Sequence, residues 1–139
     1  MTDNDPKRIE FELNAAGSSA VRKLQLILFQ ALTSATPVDT GHARASLTPA
    51  VGSPIVDRLE RSSDESTARQ EASSRFSAHK AKSLAISSTY SLDQGRVFLI
   101  YRAPYVVFLN EGSSSQAPKK FVDRAVAASV RALGSNPLT

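Results

Sequence analysis

Residues 96–102, RVFLIYR, restrict the fold of this chain more than any other stretch. In an extended chain Val97, Leu99 and Tyr101 point one way and Phe98 and Ile100 the other. A strand that is apolar on both faces has to be covered on both, so it is expected at the centre of a sheet. A turn at Asp93–Gly95 should feed it. The alternation of Ile9, Phe11 and Leu13 predicts a short strand near the N-terminus, and SLTPAVGSP predicts another, leading to a turn at Gly52–Pro54.

Helical spacing frames this sheet. Val21, Leu24, Ile27, Leu28, Ala31 and Leu32 recur along one side of a segment that Ser18 or Ser19 can cap, and Leu26 and Phe29 widen the stripe. A helix apolar on more than one side needs a neighbour on each of them, in its own fold or in another subunit. Pro37 should end it, because the residue before a proline is pushed out of the helical region. A last helix is expected to open at Pro118. It would bury Val122, Ala125, Val126, Ser129, Val130 and Leu133 and turn Asp123, Arg124 and Arg131 outward, with Gly134 closing it. Pro104 should start a short helix or turn through PYVVFLNEG, stopped by Gly112. The expected class is α+β: a small antiparallel sheet flanked by a long N-terminal helix and a C-terminal helix, with short helical turns and a polar extended loop.

At 139 residues the chain reads as a single domain, 1–139, with a flexible N-terminus (1–16) and tail (134–139). The stretch 57–82 is polar and rich in Ser, Arg and Glu, and only Ala72, Phe76 and His79 suggest a stripe. It reads as a loop and exposed-helix insertion. No cysteine is present, which suits a reducing compartment. The N-terminus reads as untargeted, and the longest mainly apolar run, LQLILFQAL, is too short to span a membrane.

The net charge of +4 makes distribution the issue. Residues 1–54 balance five acids with five bases, and residues 57–82 carry five acids and six bases. The excess lies after residue 95, where Arg96, Arg102, Lys119, Lys120, Arg124 and Arg131 face Glu111 and Asp123. Dense Lys/Arg clusters interleaved with aromatics, as a base-reading protein needs, are missing. A small basic nucleic-acid-binding protein is therefore the alternative reading.

Asp39-Thr40-Gly41 is the tripeptide of aspartic proteases, where it ends a buried apolar strand and two copies must share a proton. Here it follows a helical segment and Thr36-Pro37, and the chain has no second copy. The local reading is a turn in which Asp39 or Thr40 caps a short helix through GHARASL, with Gly41 easing the tight start. His42 and His79 lie far apart, lack metal-ligand spacing and read as surface or capping residues. No G-x-S-x-G elbow and no phosphate loop is present. No cofactor or metal is expected, and the chain does not read as an enzyme.

TPVDTGHARASL, RVFLIYR, APYVVFLNEG, SSSQAPKKFVDRAV and a closing helix, in this order, resemble the neck or tail-completion (minor tail component) family of tailed bacteriophages over residues 18–133. The family pattern falls on Pro37, Val38, Asp39, Thr40, Gly41 and Arg44 in the first motif. In the second it falls on Pro104, Tyr105, Glu111, Gly112, Ser115, Gln116, Ala117 and Pro118. The chain departs from it with Val106 after the Pro-Tyr pair and with LNEG in place of Leu-Glu-x-Gly, which moves the acid to Glu111. The resemblance implies a virion structural protein made in the host cytoplasm and placed at the neck. It would form a ring of six or twelve copies between a head-completion or adaptor protein and a tail terminator or tube protein. Some basic residues of the final third would then touch passing DNA without reading its sequence.

Overall fold

The computed structural model describes residues 9–13, 15, 17–36, 41–103, 106–111 and 120–134. Strands β1 (Glu10–Leu13), β2 (Leu47–Val51) and β3 (Val97–Tyr101) form an antiparallel sheet in the order β1-β3-β2. The doubly apolar strand is central, and all five of its residues are buried. Leu13, Phe11 and Leu47 pair with Val97, Leu99 and Tyr101. Together these form the face that meets the helices. Ala50, Phe98 and Ile100 form a second, smaller cluster, with Ile55 packed on it. The class is α+β.

Pro49 sits where a sheet tolerates it. Gly52 N–H donates to Arg96 O and Arg102 N–H to Ser46 O. In an antiparallel ladder the pairs alternate, so Pro49↔Leu99 falls on a non-hydrogen-bonded pair of an edge strand. No ladder donor is lost there.

Helix α1 (Ser18–Ala35) ends as the proline predicts, with Thr36 extended at ψ 134°. Its start differs from expectation. Gly17, at φ 104°, is the N-cap and neither serine caps. Ser18 Oγ instead accepts the Leu92 N–H at 2.9 Å. The short α2 (His42–Ala45) has Gly41 as its N-cap, in the left-handed region at φ 91°. A side chain there would be strained, and its Cβ would already touch Ala72 Cβ at 3.4 Å. Asp39 and Thr40, expected to cap this turn, lie outside the described residues.

The polar stretch holds the longest helix, α3 (Glu65–Thr89). Regular structure begins at Asp64, whose carboxylate accepts the Thr67 N–H at 2.8 Å, and residues 54–62 form no helix or strand. The segment looks polar because its inner face is small: Ala68, Ala72 and Ser83 are buried with Ile86. Small residues let α3 lie close to α1 and α2, while Ala, Glu, Arg, Lys and Gln elsewhere favour helix without needing burial.

Helix α4 (Val106–Asn110) leads to α5 (Phe121–Gly134), which packs mainly on α1. The last helix thus begins at Phe121, after Lys120 in a left-handed conformation at φ 66°. Pro118 lies outside the described residues. Asn110 caps α5 from a distance: its Oδ1 accepts the Val122 N–H at 2.8 Å, and its carbonyl accepts the Lys120 N–H at 2.6 Å. Val130, expected in the buried face, is 61% exposed. The buried sector of α5 is centred on Phe121, Val122, Ala125 and Ser129, and Val130 falls on its rim.

Asn110→Ala is expected to cost about 0.5–2 kcal/mol, the usual value of a lost N-cap. Amide exchange should speed up first in the opening turn of α5. Uniform loss of protection across α1 and α5 would contradict this.

Candidate functional site

Helices α1 and α3 run antiparallel in contact, and Gln25 fixes their register. This glutamine is fully buried, its Nε2 donates to Ser83 O at 3.0 Å, and Ser83 Oγ donates to its Oε1. A buried amide between helices is tolerated only when both ends are satisfied, as here. One turn further along, Phe29 and Phe76 stack with ring centroids 6.5 Å apart and planes 8° from parallel. The Arg44 guanidinium lies over the Phe76 ring, 4.8 Å from its centroid. Cations are drawn to the negative face of an aromatic ring.

These side chains border a pocket of about 220 Å³. Leu26, Phe29, Phe76 and Leu84 give it apolar walls, and Arg44 and Lys80 give it positive charge. Arg44 Nε is buried without a hydrogen-bond partner. Both buried hydroxyls of the pocket are engaged: Ser83 donates to Gln25 Oε1 and Thr33 to Phe29 O. Apolar walls beside two cations are complementary to an apolar group that carries a negative charge.

The two histidines close the neighbouring junction. His42, expected at the surface or in a cap, is buried at the start of α2, and its Nε2 pairs with Leu59 O at 3.1 Å. His79 reaches back from α3 to Ala45 O at 2.9 Å, at the end of α2. Desolvation pushes both imidazoles below their ordinary value, which the hydrogen bonds to the two carbonyls partly oppose. Arg75 and Arg61 lower His42 further, and Arg102, Arg75 and Lys82 lower His79.

Both groups are therefore neutral in the folded chain at a pH where the unfolded chain has begun to protonate. Stability is complete above about pH 6.5, the ordinary imidazole value, and is lost as pH falls below it toward the folded values. The thermal midpoint should drop as pH falls below about 6.5. His79→Gln should flatten that slope, and an unchanged slope would contradict the burial argument.

The described basic residues of the final third fall on two elements: Arg96 and Arg102 flank β3, while Lys120 precedes α5 and Arg124 and Arg131, seven residues apart, share a face of it. Arg96 pairs with Glu12 at 2.6 Å, whereas Arg102, at the opposite end of β3, gives its Nε to Asp57 O at 2.8 Å. Lys120 is exposed at the start of α5, and Arg124 and Arg131 are exposed along it. Glu111 is exposed in the turn after α4. Of the motif residues, Gly41 forms the turn before α2 and Arg44 reaches the pocket. Pro37, Val38, Asp39, Thr40, Pro104, Tyr105, Gly112, Ser115, Gln116, Ala117, Pro118 and Lys119 lie outside the described residues.

Gln25, Phe76, Lys80, Ser83 and Asn110 acquire roles that patterning did not assign. Gln25 stands at the centre of the 21, 25, 28, 32 spacing, and Ser83 extends 68, 72, 76, 79 to 83 and 86, so position marked both where polarity hid them. Among the described residues no group of three or more His, Cys, Asp or Glu is placed to hold a metal, and no helix is long and apolar enough to cross a membrane. No protein-family model matches the chain, and neither a curated protein nor a solved structure is significantly similar to it.

Proposed function

We propose that this chain is a structural protein of a tailed-phage neck, forming a ring between the head-completion or adaptor protein and the tail terminator or tube. The observation that carries the reading is an ordered set of parts. A long helix is stopped by Thr36-Pro37, and a left-handed Gly41 turn delivers Arg44. A doubly buried central strand follows, and then a last helix capped from the LNEG segment. The neck-family motifs come in this same order. The site suits binding: a cationic, aromatic pocket recognises a partner and has no group poised for bond-making.

Contact with passing DNA would be nonspecific, since the described basic residues are divided between the two ends of β3 and helix α5. Weak binding to duplex DNA is expected. Tight binding that falls steeply with salt would favour the basic nucleic-acid-binding alternative.

Deleting the gene from a phage that encodes this chain, followed by electron microscopy of the lysate, tests the reading. Filled heads beside separate tails, or heads that have lost their DNA, are expected. Complete, infectious particles would overturn it.

A further inference from the structure

A second feature of the surface complements the pocket in apolarity and in charge. After α3 the chain makes a 3-10 turn, Leu92–Gln94, in which Leu92 is 51% exposed and Asp93 lies exposed beside it. A large apolar side chain held in water next to a carboxylate is the complement of apolar walls carrying Arg44 and Lys80.

The turn is rigid. Ser91 and Gln94 form a reciprocal capping box, Ser91 N–H donating to Gln94 Oε1 at 2.9 Å. The Ser91 hydroxyl donates to the Asp93 carboxylate, and Leu92 N–H is tied to Ser18 Oγ at 2.9 Å. A knob ordered before contact loses little entropy on docking.

The knob cannot fill the pocket of its own chain. Ser18 holds it at the start of α1, and Phe29 lies eleven residues along that helix, roughly 17 Å away at about 1.5 Å per residue. We propose that Leu92 and Asp93 of one copy seat in the pocket of the next copy, between Phe29, Phe76, Arg44 and Lys80. The carboxylate meets the two cations, and Leu92 covers the aromatic pair. Knob and pocket are different patches of one chain, so the contact is head-to-tail and repeats from copy to copy, closing into a ring when the rotation allows. Closure into a ring at the neck rests on the function proposed above, whereas the contact itself rests on this geometry.

The chain has no cysteine, so an engineered pair reports on this contact alone. Leu92→Cys combined with Leu84→Cys, on the pocket wall, should give under mild oxidation of the concentrated purified chain a ladder of disulfide-linked dimers, trimers and higher species. Leu92→Cys with Gln70→Cys, on an exposed part of α3, should not. Adding Asp93→Lys should cut the ladder at least tenfold, and adding Lys80→Glu as well should restore much of it. A ladder no stronger than the Gln70 control, or one that ignores Asp93→Lys, would overturn the proposal. So would occupation of the pocket by phenylacetate, seen by NMR, in a chain that gives no ladder. The assay needs no phage, so its failure is distinct from that of the neck reading, which particle morphology decides.

Discussion

Replacing Phe121 with alanine is expected to remove about 3–5 kcal/mol of stability, the range for deleting a buried aromatic ring from a packed core. Phe121 opens α5, is 2% exposed, and belongs to the cluster that joins the sheet to α1. The backbone that carries it is held in two ways, by the Asn110 cap on the next residue and by the packing of α5 on α1. The surroundings therefore cannot collapse freely into the space it leaves. Val130→Ala, on the exposed rim of the same helix, should stay within about 0.5 kcal/mol of the wild type. Urea unfolding reads both through the midpoint at constant slope. A Phe121→Ala loss below about 1 kcal/mol would mean that the start of α5 is not docked as described.

Leu99→Ala should cost about 2–5 kcal/mol. Leu99 stands at the centre of the sheet, fully buried, opposite Phe11 on one side and Pro49 on the other. Both edge strands lose a cross-strand neighbour at once. Early exposure of β1 and β2 amides to exchange, ahead of global unfolding, should accompany the loss. A shift confined to one edge, or one below about 1 kcal/mol, would contradict the register.

How much of this fold is legible in the sequence depends on whether a residue's neighbours lie along the chain or across space. The central strand is readable because alternation alone places Val97, Leu99 and Tyr101 against Phe98 and Ile100. The end of α1 is readable because proline acts on the residue before it. The long helix α3 was only partly visible: its contact face is built from Ala68, Ala72 and Ser83, which register as polar or neutral by composition. The start of α5 is not legible because its cap comes from Asn110, on another helix. Local preference offers Ser18 or Ser19 as the cap, but Gly17 takes that position and the Leu92 N–H takes the Ser18 hydroxyl.

The candidate site follows the same division. Arg44 stood out through the motif it belongs to, and Phe29 through its place on the α1 stripe. Their partners Phe76 and Lys80 sit in the stretch read as a loop and exposed helix, so the pocket could appear only once α3 was laid against α1. The exposed Leu92 could not be told from a core leucine, because its exposure is set by a capping box and a tie to Ser18.

Direct labelling of this chain's proposed place in the particle tests the neck reading best. A phage carrying an epitope-tagged copy of this chain would be purified and its intact virions decorated with gold-labelled antibody or fragment. The account predicts label confined to the junction between head and tail, in particles that remain infectious. Virions free of the protein, or label spread along the tail or over the capsid, would contradict it.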